Sequence, residues 1–205
     1  MPAAIDAVVF DVGNVLVRWD PRNLYRSLIP DRAEREEFLA SVCTEAWNHR
    51  ADLGERFDDL VDELVAAHPE RRELITAYRD RWSDMLGEPI TEAVALLTEL
   101  RAAGVPVYAL TNFSVETWPQ AVRRYPFLDD FDGVVMSGRE RVAKPDPAIY
   151  RLLVERYHLA PSRTFFTDDK QVNVDAARAA GLVAERFTDG AVLRRQLVTL
   201  RVLPS

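Results

Sequence analysis

The sequence predicts an α/β fold: a parallel sheet of about five strands covered by helices, with a helical insert after the first strand. Short apolar runs alternate with amphipathic helices after residue 90, a pattern typical of parallel sheets. A similar apolar run near the N-terminus is separated from the others by a long region of helical periodicity. The length of 205 residues suits one large domain, or one domain with an insert.

The first predicted strand lies within residues 5–17. Residues 8–10 form an unbroken apolar run, which indicates a strand that is buried on both faces. Asp11 follows where this strand ends, and Gly13 and Asn14 are turn-forming residues. We therefore expect the Asp11 carboxylate at the carboxyl edge of the sheet, where open α/β sheets bind their ligands.

The insert is predicted over residues 18–87, between core segments 1–17 and 88–205. Its apolar residues recur at helical spacing with charged residues between them. The chain is interrupted near Pro30, Gly54 and Pro69. These breaks predict four helices in the insert.

The rest of the core is predicted to alternate strictly between strands and helices. The further strands are predicted over residues 105–110, 133–136, 164–167 and 182–187. The further helices are predicted over residues 91–101, 115–125, 147–157 and 172–180. Right-handed crossovers between such strands place their carboxyl ends along one edge of the sheet.

The composition limits the classes of function. The net charge of -7 provides no basic excess for nucleic acid or an anionic membrane surface. No apolar run approaches the roughly 20 residues of a membrane helix. Cys43 is the single cysteine, so no intramolecular disulfide can form, and we expect it to be a small core residue. With no basic leader segment at the N-terminus, a cytoplasmic protein is expected.

Polar residues follow four of the predicted strands in turn. They are Asp11, then Thr111 and Asn112, then Lys144, and finally Asp168 and Asp169. Each alone is explained by a turn, but all of them would lie on the same edge of a parallel sheet. The set is therefore more specific than any of its members.

The residue types in this set suggest phosphoryl chemistry. Converging carboxylates repel each other unless a cation lies between them, and hard oxygen ligands suit Mg²⁺. Lys144 beside such a cation would neutralise a phosphoryl group. Asp11 would then be free to act as a nucleophile and form an aspartyl-phosphate.

Four segments of the chain resemble the ordered motifs of the haloacid dehalogenase (HAD) superfamily. They read F-D-V-G-N-V-L, L-T-N, K-P-D-P-A-I-Y and F-F-T-D-D-K-Q-V-N. The insert resembles the helical cap that this superfamily carries between its first and second motifs. The resemblance covers nearly the whole chain and implies a Rossmann-like core with a four-helix cap. Within the superfamily, the chain resembles the branch of sugar-phosphate phosphatases.

The resemblance implies a role for each position of the set. Asp11 is the expected nucleophile, Thr111 would hold the transferring phosphoryl group, and Lys144 would counter its charge. The expected Mg²⁺ ligands are Asp11, the backbone carbonyl of Gly13, Asp168 and Asp169. Asn112 is expected to contact substrate. Asn173 matches a position that often orients the fourth motif, and a helix-capping or turn role is the alternative for it.

The sequence departs from the phosphatase pattern at Gly13. Phosphatases of this superfamily usually carry a second Asp there as general acid and base. Its absence predicts a slow phosphatase or one with another proton donor. Two alternatives remain: a 2-haloacid dehalogenase, which needs neither that Asp nor a metal, and a catalytically weak protein that binds phosphorylated ligands or partner proteins. Because Asp168 and Asp169 need a cation, the phosphatase is favoured.

The cap of this superfamily carries specificity, and one segment of the insert contains candidate substrate contacts. His49 and Arg50 are predicted to reach a distal polar group of the substrate, and Trp47 to stack on a sugar ring. Trp47 is also a candidate core residue, and Arg50 a solvated helix residue. The expected partner is a small phosphorylated molecule, and the expected assembly is a monomer or homodimer.

Overall fold

The computed structural model describes residues 4–204. Its strands are β1 (Ala7–Phe10), β2 (Val17–Trp19), β3 (Leu86–Pro89), β4 (Val107–Thr111), β5 (Gly133–Met136), β6 (Thr164–Asp168) and β7 (Val183–Arg186). Its α-helices are α1 (Arg22–Leu28), α2 (Arg32–Ser41), α3 (Glu45–Asp52), α4 (Phe57–Ala67), α5 (Arg72–Asp80), α6 (Thr91–Ala102), α7 (Trp118–Arg124), α8 (Ser137–Glu140), α9 (Pro147–Arg156), α10 (Gln171–Ala179) and α11 (Gly190–Thr199). Within this part of the chain, none of the helices has the length and apolar composition needed to span a bilayer. The expectation about a leader segment falls partly on residues 1–3, outside the described residues.

The main sheet confirms the predicted architecture. Within residues 4–204 its five strands lie in the order β5-β4-β1-β6-β7, and each neighbouring pair is parallel. The central strand β1 pairs with both β4 and β6, so Val9 lies opposite Tyr108 on one side and Phe166 on the other. The carboxyl ends of β1, β4 and β6 are therefore adjacent at one edge of the sheet.

Strand β1 is apolar at every position because helices cover both faces of the sheet. Val8 and Phe10 pack into one cluster, which includes residues of α6 and α11. Val9 packs into the other, with residues of α9 and α10. Successive side chains of a strand point to opposite faces, so a strand with two buried faces needs no polar position. Burial of one such side chain stabilises the fold by about 1.5–3 kcal/mol.

A two-stranded antiparallel ribbon, β2 with β3, joins the insert to the core. The predicted boundaries at residues 17/18 and 87/88 both fall within this ribbon. The backbone N–H of Ile90 donates to the carbonyl of Leu16 at 2.8 Å and continues the connection toward the core. The ribbon was not predicted because its strands lack an apolar run: β2 reads V-R-W, and β3 reads L-G-E-P with a glycine and a proline.

The insert contains five α-helices among the described residues, α1 to α5, where the sequence predicts four. The additional break separates α2 from α3. Thr44 causes it, since its side chain accepts a hydrogen bond from the backbone N–H of Trp47 at 3.0 Å and caps α3. An N-cap of this kind begins a new helix.

The insert has an aromatic core and also contacts the sheet domain. Trp47 and Tyr78 meet edge to face with ring centroids 5.0 Å apart. Gly54, at φ +91°, lies so close to the core that a Cβ there would be 2.5 Å from the carbonyl oxygen of Gly138. Both the positive φ and this close approach require glycine. The hydroxyl of Ser137 also donates to the backbone carbonyl of Asp52.

Candidate active site

Three strands of the sheet bring polar side chains to its carboxyl edge. Asp11 follows β1, Thr111 is the last residue of β4, and Asp168 is the last residue of β6. The backbone N–H of Asp11 donates to the carbonyl of Thr167 at 3.0 Å, which extends the pairing of β1 and β6 to this point. Asp11, Asp168 and Asp169 each offer a carboxylate oxygen within 4.8 Å of the others. The predicted convergence of carboxylates is therefore present.

Lys144 lies between two of these carboxylates. Its Nζ is 2.9 Å from Asp11 Oδ1 and 2.6 Å from Asp168 Oδ2. All three residues are buried, with exposures of 3%, 7% and 0% respectively. A charge buried to this extent needs such partners, because an unpaired one would lose its hydration without compensation.

Asn112 holds the backbone of Lys144. Its Nδ2 donates to the Lys144 carbonyl at 2.9 Å, and its Oδ1 accepts from the Lys144 N–H at 2.9 Å. These two bonds connect the end of β4 to the segment after α8. Asn112 therefore helps to position Lys144. It also lines the cavity, which is compatible with the predicted contact to substrate.

The pKa values of this cluster reflect burial and mutual repulsion. Burial raises the pKa of Asp11 to about 7; Asp168 and Asp169 also raise it, while Lys144 opposes the shift. Burial and the charge of Asp168 raise the pKa of Asp169. The pKa of Lys144 is raised, since its two carboxylate partners outweigh the effect of burial. The carboxylates are in excess over the one ammonium between them, an arrangement that favours a bound cation.

Asp168 is the most firmly held of the carboxylates. Asn173 Nδ2 lies 3.0 Å from each of its oxygens, and the backbone N–H of Lys170 donates to Oδ1 at 2.8 Å. Burial alone would raise its pKa, but Lys144 and these donors lower it below the usual range. Asn173 thus has the orienting contact that the sequence suggested.

The loop after Asp11 is compact. The backbone N–H of Val12 donates to Asp11 Oδ1 at 2.6 Å. Gly13 has space beside it, since a Cβ built there meets no atom within 4 Å. Asn14 adopts φ 56°, a region that Asn tolerates better than most residues, and its Oδ1 accepts the N–H of Trp19 at 3.1 Å. The loop therefore leads directly from the carboxylate into the β2-β3 ribbon.

A cavity of about 710 Å³ lies between the sheet edge and the insert. Its wall on the core side includes Asp11, Thr111 and Lys144, and its wall on the insert side includes Leu39 and Asp52. This volume lies within the range of small-molecule sites. The predicted site residues along it are Asp11, Gly13, His49, Thr111, Asn112, Lys144 and Asp169.

Two predicted substrate contacts occupy other positions. Trp47 is 7% exposed and packs in the aromatic core of the insert, with its Nε1 donating to the Leu60 carbonyl at 3.3 Å. Arg50 forms ion pairs with Glu55 at 2.7 Å and Glu63 at 2.9 Å. Both have the alternative roles considered for them, in the core and on a solvated helix face.

Sequence reasoning missed several polar residues of the cavity wall, among them Asn48 and Asp52. These two are one turn apart on α3, next to the buried stripe formed by Trp47 and Ala51. A polar pair at i and i+4 beside an apolar pair was the available signal. Lys170 also lines the cavity, and its Nζ lies 2.7 Å from Glu45 of the insert.

Comparison with known proteins identifies relatives across nearly the whole chain. A family described as haloacid dehalogenase-like hydrolase matches residues 5–181. A sesquiterpene phosphatase of Aspergillus oryzae is 28% identical over 189 residues, 92% of this chain and 93% of its own. A phosphatase of Mycobacterium tuberculosis is 30% identical over 191 residues, 88% of this chain and 86% of its own. An (S)-2-haloacid dehalogenase of a Pseudomonas species is 27% identical over 143 residues, 66% of this chain and 62% of its own.

The fold also matches solved structures. The magnesium complex of a HAD family enzyme from Bacteroides thetaiotaomicron superposes with a TM-score of 0.74 at 20% identity, covering 94% of this chain and 100% of that chain. At this identity, the likeness concerns the fold.

Proposed function

The chain belongs to the haloacid dehalogenase-like hydrolase family, and we propose that it is a Mg²⁺-dependent phosphomonoesterase. The proposed substrate is a small phosphorylated metabolite, and the reaction passes through an aspartyl-phosphate on Asp11. The observation that carries the proposal is the convergence of three carboxylates with the buried Lys144 at the sheet edge. A hydrolase without a cation would have little use for this excess of buried negative charge.

The donor set fits Mg²⁺. The oxygens of Asp11, Asp168 and Asp169 are hard ligands within 4.8 Å of one another, and the backbone carbonyl of Gly13 is the proposed fourth ligand. When bound, the cation would neutralise charge on the phosphoryl group and among the carboxylates. Because the carbonyl belongs to the backbone, the glycine does not remove this ligand.

The chain's own residues account for the two steps of the reaction. The Asp11 carboxylate attacks phosphorus, and the P–O bond to the organic group breaks as the new bond forms. Thr111 holds the phosphoryl oxygens, and Lys144 offsets their negative charge. Water then attacks phosphorus, which releases phosphate and restores Asp11.

The leaving oxygen must take up a proton in the first step. Gly13 has no side chain to donate it, so the proton comes from solvent in this account. General acid catalysis contributes about 10²–10⁴ in rate, and its absence should make turnover slow for poor leaving groups. The position is structurally free to carry a larger side chain, since a Cβ meets no atom within 4 Å.

Gly13 is also the observation that favours a second candidate. Carbon-halogen hydrolysis releases halide and needs no leaving-group proton, and one relative is a haloacid dehalogenase. The same cluster argues against it, because without a bound metal cation three carboxylates would share Lys144 and Lys170, and Lys170 is already paired with Glu45. A third candidate is a catalytically weak protein that binds phosphorylated ligands or protein partners. It would bind such a ligand without turning it over.

The substrate class follows from the cavity. We infer that the insert acts as a cap over it and that residues 18–87 form this unit. The sequence resemblance favours a sugar phosphate as the substrate. However, Leu39, Trp82 and Phe113 make part of the cavity wall apolar, which favours a less polar organic group. The sesquiterpene phosphatase among the relatives agrees with an apolar organic group. We propose a monomer or homodimer in a reducing cytoplasm, where buried Cys43 stays a free thiol.

One panel of assays tests the proposal. Phosphate release is measured from sugar, nucleotide and prenyl phosphates with Mg²⁺ and with chelator, and chloride release from 2-haloacids in parallel. Phosphate release that requires both Mg²⁺ and Asp11 supports the proposal. Chloride release without metal supports the dehalogenase, and ligand binding without any turnover supports the third candidate.

A further inference from the structure

Asn48 and Asp52 form a polar pair on the insert wall of the cavity. They lie one turn apart on α3, and Asn48 Nδ2 donates to Asp52 Oδ2 at 3.1 Å. Both line the cavity that Asp11 lines from the other side. The mechanism above uses neither of them.

The pair has hydrogen-bonding capacity that the protein does not use. Asn48 is 8% exposed, and its Oδ1 is buried without a hydrogen-bond partner among the described residues. An unpaired buried acceptor costs about 1–3 kcal/mol, so it calls for a specific explanation. Asp52 is only partly buried, which makes its carboxyl the member of the pair that a substrate can reach.

The end of α3 that carries Asp52 is held in place, and the pKa of the Asp52 carboxyl lies near neutral pH. The Ser137 hydroxyl fixes the Asp52 backbone carbonyl, and through it the end of α3. Burial raises the side-chain pKa to about 7, opposed by Lys170 and the backbone N–H of Ser114 and assisted by Glu45. A carboxyl in this state can accept a hydrogen bond from a hydroxyl when ionised and donate one when protonated.

Away from this pair and the sheet edge, about half of the remaining lining residues are apolar, and polar residues such as His49 and Lys170 lie among them. Trp82 and Phe113 meet edge to face with centroids 5.3 Å apart, and Trp19 and Leu39 also line the cavity. A sugar with a hydroxyl on every carbon would leave polar groups against these side chains, at a cost in desolvation. A substrate with a largely apolar body and few polar groups matches this distribution better than a fully hydroxylated one.

We propose that Asn48 and Asp52 form a distal subsite that binds a hydroxyl group at the end of the substrate remote from its phosphate. The inference rests on the proposed phosphatase function and narrows its substrate class to hydroxyl-bearing organic phosphates with a mainly apolar body. Asp52 makes the hydrogen bond, and Asn48 orients the carboxyl.

Binding and turnover test the subsite separately. Calorimetry measures the affinity of the Mg²⁺-loaded protein for alkylphosphonates and for ω-hydroxyalkylphosphonates of increasing chain length. Phosphate release is measured from the corresponding phosphate monoesters. At the chain length that spans the cavity, the terminal hydroxyl should lower Kd roughly tenfold, the effect of one well-formed hydrogen bond.

Variants assign the preference to the pair. Asp52→Leu should abolish the hydroxyl preference, whereas Asp52→Asn, which keeps an acceptor, should retain part of it. Asn48→Leu should weaken the preference, because it removes the Nδ2 donor that orients the Asp52 carboxyl. Stability should change little, because the lost hydrogen bond is offset by removal of the buried Oδ1 that has no partner among the described residues. Asp62 is an exposed carboxylate of the insert, so Asp62→Asn is the matched control and should leave the hydroxyl preference unchanged.

The outcomes separate the subsite from the reaction. Equal or tighter binding of the methyl-terminated compounds at every length, or a preference that survives Asp52→Leu, would overturn the subsite even if phosphate is released. A hydroxyl preference in binding with no phosphate release from any ester would support the subsite and overturn the phosphatase.

Discussion

The ammonium of Lys144 lies 2.9 Å from the carboxylate of Asp11, and both groups are buried. The same ammonium contacts Asp168 at 2.6 Å, so a single cation compensates two carboxylates. This geometry makes Lys144 both a structural residue and a proposed catalytic one, and the two roles can be measured separately.

Replacement of Lys144 by Met should destabilise the metal-free protein by about 3–5 kcal/mol, since two buried carboxylates lose their partner. Urea unfolding in chelator measures this, and phosphate release should be lost as well. Lys170→Met is the control: its side chain is 57% exposed, and its ion pair with Glu45 should contribute only about 0–1 kcal/mol. Similar losses for the two variants would contradict the role given to Lys144.

Mg²⁺ should stabilise the folded protein, because the carboxylate cluster that binds it exists only in the native state. At a free concentration of about 100 times Kd, the free energy of unfolding should rise by about 2.7 kcal/mol. Asp169→Asn should reduce this gain, whereas Asp175→Asn, an exposed carboxylate on α10, should not. Equal stabilisation of both variants would place the cation elsewhere.

Gly13→Asp should restore the missing proton donor, since a Cβ at this position meets no atom within 4 Å. For alkyl phosphates, whose leaving oxygens need a proton, kcat should rise by about 10²-fold. For p-nitrophenyl phosphate, whose leaving group needs none, kcat should change little. Gly13→Asn tests whether size alone matters, and an equal effect on both substrates would refute the explanation.

Asp52 should make stability depend on pH. Burial raises its pKa from 3.8 to about 7 in the folded protein, so between these values the folded state binds the proton more tightly than the unfolded state does. The free energy of unfolding of the wild type, relative to Asp52→Asn, should therefore fall as pH rises from about 4 to 7 and stay level above it. A difference that is constant over this range would show that the carboxyl titrates normally.

The sheet and most of the polar residues at its carboxyl edge were predictable because their signals are local. Apolar runs mark buried strands wherever both faces of the sheet are covered, as in β1. The polar residues directly after such strands lie at the sheet edge however the helices pack. Lys144 is different, because α8 lies between it and the end of β5, and β5 is the outermost strand of the sheet. Its position beside Asp11 depends on the contact of its backbone with Asn112, which is 32 positions away in the sequence.

The insert was harder to predict because helix rotation depends on packing. Trp47 and Asn48 are neighbours in sequence, yet one faces the aromatic core and the other faces the cavity. The large apolar surface of Trp47 is better buried against Phe57 and Tyr78 than exposed to a substrate, which decides the orientation of α3. Of the two polar residues of the insert selected as substrate contacts, His49 lines the cavity, whereas Arg50 forms ion pairs with Glu55 and Glu63 instead.

Helix α11 was also missed, although its N-cap is a residue type that favours a helix start. Asp189 accepts a hydrogen bond from the backbone N–H of Val192 at 2.8 Å. The helix then packs against α6, with Leu193 and Leu197 buried. The segment did carry a signal, because Leu193, Leu197 and Leu200 recur at helical spacing after Asp189.

The most direct test of the central claim is to trap the covalent intermediate. The Mg²⁺-loaded protein is mixed with a substrate identified in the phosphate-release panel, quenched in acid within the first turnover, and measured by mass spectrometry of its peptides. The account predicts a peptide containing Asp11 that is heavier by one phosphoryl group, and no such species in Asp11→Asn. Turnover without this adduct, or with phosphate on another residue, would contradict an aspartyl-phosphate mechanism at Asp11.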